Sequence, residues 1–271
     1  MSSNSINRPR NQPILSSFPS IDDLVPKLRR YVLKRQKETL DKQGRFVIAV
    51  SGGSHLSILS RALLEPRNDG TPEDTPQFAK WHIYFADERV VPLGHDDSNY
   101  KQLKDQLLDK IPAELGAPRV YSIDADLIKE EDELVEHYEK SLIEGLAQKD
   151  SARFPVFDLI LLGCGHDGHT CGLFPDHEVL TEEDGWVSLV SDLPQPLHKC
   201  ITLTFPVLNH ARNIVVVATG AKKKDTIKTI FDSPHCDLPA ARARPYYPGI
   251  VTWFTDHPAV EGVAFPRTDV P

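Results

Sequence analysis

The segment GCGHDGHTC (163–171) concentrates side chains that could carry out chemistry: Cys164, His166, Asp167, His169 and Cys171. Thiols and imidazoles bind transition metals, and a histidine beside an aspartate can act as a general base. The same letters also form a G-x-G-x-x-G pattern after an apolar run, which is typical of dinucleotide sites. The segment therefore raises three hypotheses: a metal site, a nicotinamide site and a general base.

The nicotinamide hypothesis requires a helix that begins inside the glycine loop, so that its N-terminus meets the pyrophosphate. It also requires a second strand that ends at an acidic residue about 20 residues further on. Pro175 would break a helix that began at the loop, and no apolar strand ends at an acid near that distance. The sequence therefore argues against a nicotinamide site.

The metal hypothesis requires tetrahedral ligands at preset spacing. The cysteines and histidines of the segment match none of the usual zinc patterns, and we interpret Cys164 and Cys171 as small buried residues. A glycine-rich turn that presents Asp167 and His169 remains. Histidine titrates near neutrality and a neighbouring carboxylate can orient its ring. An isolated D-G-H could equally be a hydrogen-bonded loop histidine, so the other motifs must decide.

Strands and helices alternate along the chain. Ser20 and Asp23 form a capping-box start, after which apolar residues recur at helical spacing to about Leu40. The expected strands are RFVIAV (45–50), WHIYF (81–85), FDLILLG (157–163), NIVVVATG (213–220) and GIVTWF (249–254). This alternation predicts an α/β fold: one doubly wound, Rossmann-like domain over residues 20–266, with a mostly parallel sheet and helices on both faces.

The N-terminal 19 residues are polar, rich in serine and free of acidic residues. This composition weakly resembles an organelle transit peptide, but the segment holds only two arginines, Arg8 and Arg10. We therefore predict that residues 1–19 are a disordered tail.

The net charge of -8 argues against a nucleic-acid or anionic-membrane partner, although a few fixed cations in a cleft could still bind a small anion. No run approaches the roughly 18 apolar residues of a membrane span. The four cysteines form no C-x-x-C pair, which predicts free thiols in a reducing compartment. We expect a cytoplasmic monomer whose partner is a small molecule.

Four motifs fall directly after predicted strands: SGGS (51–54), ADER (86–89), GCGHDGHT (163–170) and the turn 220–223. In doubly wound folds, ligands bind outside the carboxyl ends of the strands. The sequence therefore predicts that these motifs meet in one site.

Taken together, several blocks resemble the 6-phosphogluconolactonase family. They are VSGGS (50–54), ADERVVPLGHDDSNY (86–100), GCGHDGHTCGLFPDH (163–177), ITLTFPVLNHARNIVVVATGAKKK (201–224) and LPAARARPYYPGIVTWFTDHPA (238–259). The resemblance extends from about residue 21 to about residue 264, in the family's order. It implies hydrolysis of 6-phosphoglucono-1,5-lactone to 6-phosphogluconate in the oxidative pentose phosphate pathway, without a metal or an organic cofactor.

By similarity, His169 is the general base that activates water for attack on the lactone carbonyl. Asp167 and Asp87 would shape the site, and Arg89 would orient the substrate or stabilise the developing charge. The residue chemistry agrees, because a lactone is an activated acyl group and a positioned water with one base and one cation can suffice. No G-x-S-x-G elbow is present, so no serine nucleophile is indicated.

The expected phosphate site combines a helix N-terminus with a lysine. Ser51 is better explained as a phosphate ligand than as a nucleophile, and its hydroxyl and the following amides would cradle an anion. Lys223 lies where the family places a phosphate-binding lysine. The predicted substrate-binding residues are Ser51, Gly52, Gly53, Ser54, Asn99, Lys199 and Lys223.

Two positions depart from the family pattern. Cys200 stands where an arginine usually precedes ITLT, which removes a bidentate phosphate partner. Lys199, Arg212 or an arginine within 242–244 could compensate, although adjacent strand positions such as Lys199 and Cys200 face opposite ways. Gly172 stands where the family often has serine, and we interpret that change as structural.

Two other functions remain open at this stage. A glucosamine-6-phosphate deaminase-type isomerase shares the fold and the D-G-H turn. The motifs typical of that family are DEY and FNEP, whereas this chain has DER and GLFPDH at those places. A sugar-phosphate-binding regulator without catalysis is favoured by Cys200. The joint presence of Asp87, Arg89, Asp167, His169 and Lys223 argues against the regulator.

Overall fold

The computed structural model describes residues 8–65, 75–146, 154–193 and 199–270. Its strands are β1 (Ile14–Phe18), β2 (Phe46–Val50), β3 (Trp81–Phe85), β4 (Asp87–Arg89), β5 (Arg119–Tyr121), β6 (Leu159–Gly163), β7 (Val187–Val190), β8 (Cys200–Leu203), β9 (Asn213–Ala218) and β10 (Ile250–Asp256). Its α-helices are α1 (Ile21–Gln43), α2 (His55–Leu64), α3 (Asn99–Gln106), α4 (Glu131–Leu146), α5 (Phe205–Leu208), α6 (Lys224–Asp232) and α7 (Pro239–Arg242).

Seven strands form one parallel sheet in the order β1-β10-β9-β6-β2-β3-β5. From β2 the chain runs outward through β3 to β5, then returns to β6 and runs the opposite way through β9 to β10. This reversal of direction leaves a crevice between the carboxyl ends of β2 and β6, where such folds bind ligands. The predicted α/β fold with a mostly parallel sheet is confirmed.

The central strands are apolar along their length because neighbouring elements cover them. Every residue of β2 is buried, and so are the first four residues of β6. Helix α1 packs on β1, β2 and β10 and against α2. It begins where the sequence predicts, since the Ser20 hydroxyl accepts the Asp23 backbone N–H at 3.2 Å. It ends at Gln43, because Gly44 adopts a left-handed φ of 70°.

A second, antiparallel sheet in the order β4-β8-β7 was not predicted from the sequence. Its strands are three or four residues long, too short for a clear alternation pattern. Asp87 pairs with Thr202, and Arg89 pairs with Cys200. This small sheet therefore fixes the positions of Asp87 and Arg89, which follow β3.

The prediction of a disordered tail over residues 1–19 is wrong for its second half. Residues 1–7 lie outside the described residues, but Ile14–Phe18 form β1, which pairs in parallel with β10. Leu15 and Ser16 are buried. The Thr268 backbone N–H donates to the Leu15 carbonyl at 2.9 Å, and the Ser16 hydroxyl donates to the Thr268 carbonyl at 2.6 Å. The segment ILSSF gains its strand partner only through this long-range pairing.

Across the described ranges, no helix is both long and apolar enough to cross a membrane.

Candidate active site

A cleft of about 250 Å³ opens at the carboxyl ends of β2, β6 and β9. Eight of the predicted site residues line it: Ser51, Gly52, Gly53, Ser54, Asp87, Arg89, His169 and Lys223. Larger cavities lie elsewhere: two, of about 620 and 630 Å³, lie around Asn209 and Tyr246, and one, of about 330 Å³, lies beside Phe231 and Trp253; none of the three is lined by a predicted site residue. The structure therefore brings most of the predicted site together at the expected edge of the sheet.

His169 and Asp167 form the contact on which general-base chemistry depends. Nδ1 of His169 lies 2.6 Å from Oδ1 of Asp167, and the same oxygen accepts the His169 backbone N–H at 3.1 Å. Burial opposes the charge on Asp167, but these hydrogen bonds and the nearby imidazole hold the pKa of Asp167 below its usual value. An ionised Asp167 accepts the Nδ1 proton of the neutral imidazole, which leaves Nε2 as a proton acceptor.

The glycine turn is shaped around this pair. A Cβ at Gly165 would overlap both Nδ1 of His169 and Oδ1 of Asp167. Gly168 has a left-handed φ of 87°, which brings the chain back so that the Gly165 N–H donates to the His169 carbonyl at 2.8 Å. The His169 ring stacks on Phe174, with the ring centres 4.5 Å apart. The glycines therefore leave space for the side chains of His169 and Asp167 and allow the turn that holds them.

Asp87 is a buried carboxylate with several donors around it. The Ser51 hydroxyl donates to Oδ1 at 2.6 Å, and the Asn99 amide donates to Oδ2 at 3.0 Å and to the Asp87 carbonyl at 2.7 Å. Nη1 of Arg89 lies 3.7 Å from Oδ2. That Nη1 is buried and has no hydrogen-bond partner among the described residues, so the guanidinium keeps donor capacity at the cleft.

Two predicted phosphate ligands have structural partners here. Ser51 commits its hydroxyl proton to Asp87, so that proton is not offered to an anion. Asn99 does not line the cleft: it is buried beneath the glycine loop, where a Cβ at Gly52 would overlap its Oδ1. Sequence reasoning missed Gln102, whose Oε1 accepts the Gly53 N–H at 2.7 Å. No local pattern pointed to Gln102.

Glu88, also missed, lies fully buried behind this network. It accepts the backbone N–H groups of Arg89, Asn99 and Tyr100, each at 2.7 Å. Burial raises the pKa of Glu88 to about 7, although these hydrogen bonds oppose the rise. Glu88 therefore ties the start of α3 to β4, and so holds Asn99 against Asp87.

The cations differ in where they lie. Lys223 lines the cleft and has no ion-pair partner in the described part of the chain, whereas Lys224 pairs with Glu261 at 3.0 Å. Lys199 does not reach the cleft: its Nζ pairs with Glu131 at 2.8 Å. The structure therefore does not support Lys199 as the substitute for the missing arginine.

Cys200 is fully buried and lies opposite Arg89 in the β4–β8 pair. Burial raises the pKa of the Cys200 thiol to about 12, and burial likewise raises that of Cys164 to about 12. All four cysteines are free, as predicted. A Cβ at Gly172 would come within 2.8 Å of the Cys200 sulfur, so glycine at that position makes room for this packing.

One further cleft residue, His55, is not among the predicted site residues. Its side chain is 3% exposed and lines the cleft, and its Nε2 is buried with no hydrogen-bond partner among the described residues. In the described ranges, no three histidine, cysteine, aspartate or glutamate side chains are arranged to hold a metal ion.

Comparisons with known proteins agree with this geometry. The family model for glucosamine-6-phosphate isomerases/6-phosphogluconolactonase matches residues 19–253. The chain is 38% identical over 247 residues to a probable 6-phosphogluconolactonase of Schizosaccharomyces pombe, covering 90% of this chain and 93% of that protein. It is 37% identical over 254 residues to the 6-phosphogluconolactonase of Rattus norvegicus, covering 93% of this chain and 95% of that protein.

Among solved structures, the 6-phosphogluconolactonase of Trypanosoma brucei superposes with a TM-score of 0.76 at 28% identity, covering 93% of this chain and 99% of that one. The match of the family model spans most of the chain, including β2, β4, the D-G-H turn and Lys223. The chain therefore belongs to the glucosamine-6-phosphate isomerase/6-phosphogluconolactonase family.

Proposed function

We propose that the protein hydrolyses 6-phosphoglucono-1,5-lactone to 6-phosphogluconate in the oxidative pentose phosphate pathway. The observation that carries the proposal is the 2.6 Å contact between His169 Nδ1 and Asp167 Oδ1 at a cleft that also holds Arg89 and Lys223. Relatives with high coverage and 6-phosphogluconolactonase names support the same reaction. The enzyme class is a carboxylic ester hydrolase.

In the first step, Nε2 of His169 takes a proton from a water molecule as the water oxygen attacks the lactone carbonyl carbon. The carbonyl π electrons move to the oxygen, which becomes an oxyanion. The Asp167 carboxylate stabilises the imidazolium that forms and holds its ring in place. When the tetrahedral intermediate collapses, the bond from carbon to the ring oxygen breaks. The imidazolium proton goes to that oxygen, which becomes the hydroxyl group of the open-chain acid.

Arg89 supplies the positive charge in this scheme. Its guanidinium lies beside the buried Asp87 carboxylate, which is itself held by Ser51 and Asn99. A preorganised cation stabilises a developing oxyanion without having to reorient during the reaction. Asp87 and Asn99 are therefore positioning residues for Arg89 rather than ligands of the substrate.

We assign the phosphate end of the substrate to the loop before α2. Ser54 precedes α2, is exposed and makes no side-chain capping hydrogen bond, so its hydroxyl is available to an anion. The N-terminus of α2 contributes a positive dipole end, and Lys223 contributes a full charge. This arrangement suits a sugar phosphate.

Neither alternative gains support. The deaminase-type isomerase is disfavoured because this chain has Arg89 and GLFPDH at the places where DEY and FNEP are typical of that family. A regulator without catalysis has no need of the His169–Asp167 contact or of a guanidinium poised at the cleft. The monomeric state and the cytoplasmic location stay predictions.

The test is the disappearance of 6-phosphoglucono-1,5-lactone with purified protein, with spontaneous hydrolysis subtracted and His169→Ala measured alongside. We expect catalysis by the wild type, a loss of roughly 10²- to 10⁴-fold in the variant, and nearly unchanged binding of 6-phosphogluconate. A wild type no faster than buffer, but able to bind 6-phosphogluconate, would favour the regulator.

A further inference from the structure

His55 is a buried polar side chain with one ring nitrogen, Nε2, that lacks a hydrogen-bond partner among the described residues. It is 3% exposed, and its Nε2 has no partner, whereas buried polar groups are nearly always hydrogen-bonded. Burial lowers the pKa of His55 to about 4, although the Asp87 carboxylate and the Ser51 backbone oppose the fall. At neutral pH the ring is therefore uncharged and carries one N–H group.

The ring lies between two of the loops that line the cleft. Its Nδ1 would be 3.3 Å from a Cβ at Gly53 and 2.9 Å from one at Gly163, so it fills the space between the two loops that follow β2 and β6. Cys164, the next residue after Gly163, is close enough to Lys223 for the ammonium group to lower its thiol pKa against the larger effect of burial. His55, Cys164 and Lys223 all line the same cleft.

The site as a whole lacks a donor that the family pattern supplies. Cys200 replaces the usual arginine and is buried opposite Arg89, and Lys199 is paired with Glu131 instead. The Gly53 amide is occupied by Gln102. A phosphoryl group with three acceptor oxygens therefore meets fewer donors than its charge requires unless another side chain contributes.

We propose that the His55 imidazole is a ligand of the substrate's phosphoryl group and donates a hydrogen bond to one of its oxygens, an assignment that rests on the proposed lactonase function. The position favours the phosphoryl group over a sugar hydroxyl for two reasons. His55 is the first residue of α2, whose N-terminus attracts anions. It also directly follows Ser54 on the loop that lines the cleft.

The experiment compares wild type with His55→Leu, which keeps the volume but removes the N–H group. We expect KM for the lactone and Kd for 6-phosphogluconate to rise about ten- to hundredfold, with kcat changed less than about threefold. Inorganic phosphate, used as a competitive inhibitor, should lose affinity by a similar factor. His82→Leu is the matched control, because His82 contacts Tyr121 outside the cleft, and its KM should match that of the wild type.

Two amide variants separate a hydrogen bond from packing. Asparagine places an N–H group near the position of Nδ1 and glutamine near that of Nε2, so His55→Asn or His55→Gln should recover part of the lost affinity. The proposal is overturned if His55→Leu binds 6-phosphogluconate within twofold of wild type. It is also overturned if inorganic phosphate inhibits His55→Leu as well as wild type, or if neither amide variant recovers affinity. Because 6-phosphogluconate binding is measured directly, these outcomes are independent of whether the wild type hydrolyses the lactone.

Discussion

Nδ1 of His169 lies 2.6 Å from Oδ1 of Asp167, two positions earlier in the same turn. Both members of the pair belong to one glycine turn. Because the carboxylate accepts both the ring N–H and the backbone N–H of His169, it fixes the ring and the main chain together. The general base is therefore oriented before any substrate arrives.

Asp167→Asn should separate orientation from charge. The asparagine side chain is the same size, but its amide can donate to Nδ1 and so leave the proton on Nε2, where it blocks proton abstraction. We expect kcat to fall by roughly 10³-fold, with Kd for 6-phosphogluconate within twofold of wild type. Steady-state kinetics and calorimetry check both values. A variant with more than about a tenth of wild-type kcat would contradict the role of Asp167.

Lys223→Ala should act on binding, because a phosphate contact is made equally in the ground state and the transition state. We expect KM to rise about ten- to hundredfold with kcat changed less than about threefold. Lys222→Ala is the control, since Lys222 is exposed and does not line the cleft. Normal KM in Lys223→Ala would remove the phosphate assignment of this lysine.

Gly165→Ala should damage catalysis through sterics alone. The added Cβ would overlap His169 Nδ1 and Asp167 Oδ1, so the pair must move apart. We expect a loss of at least about a hundredfold in kcat, because small displacements of a catalytic group are that costly. Gly94→Ala is the matched control, because a Cβ there meets nothing within 4 Å. Equal activity of the two variants would show that the turn can relax.

Asn99→Leu tests whether Asn99 positions Asp87 or binds phosphate. Losing two hydrogen bonds to Asp87 should lower the free energy of unfolding by about 1–3 kcal/mol and reduce kcat/KM through Arg89. The affinity for inorganic phosphate should stay within twofold, as measured by competitive inhibition. If phosphate affinity falls as far as it does in Lys223→Ala, the original prediction of a phosphate ligand is restored.

Stability in acid should depend on His55. Burial lowers the pKa of the folded-state imidazole to about 4 from 6.5, so between these values the unfolded chain binds the extra proton. Stability contributed by the neutral ring is therefore present above pH 6.5 and is lost as the pH falls toward 4. Lowering the pH to about 5 should destabilise the wild type by about 2 kcal/mol more than His55→Leu. Urea unfolding of both proteins at each pH checks this difference, and parallel pH curves would contradict it.

The parts of the site that local sequence could predict are those built within one segment. The D-G-H turn needs only its own glycines, and the motifs after β2, β6 and β9 converge because parallel strands end at one edge. Ser51, Asp87, Arg89, His169 and Lys223 therefore lie together as expected.

The parts of the site that the sequence did not predict depend on contacts between residues far apart in the chain. Ser51 turns its proton toward Asp87, Asn99 lies beneath Gly52, and Lys199 meets Glu131 from a helix 68 positions away. The short strands β7 and β8 exist only as partners of each other and of β4. Each of these contacts depends on a residue that is distant in sequence and close in the fold. The spacing of residues within one segment does not predict such a partner.

The pairing of Thr268 with Leu15 and Ser16 has a consequence for solubility. Strand β1 is the last strand on its side of the sheet, and such a strand offers open backbone groups to other molecules. Here the chain's own C-terminal segment donates to Leu15 and accepts from Ser16, so the first and last described segments close the sheet edge together. Removing either Ile14–Phe18 or the segment around Thr268 would uncover backbone groups at this edge and invite strand-to-strand aggregation.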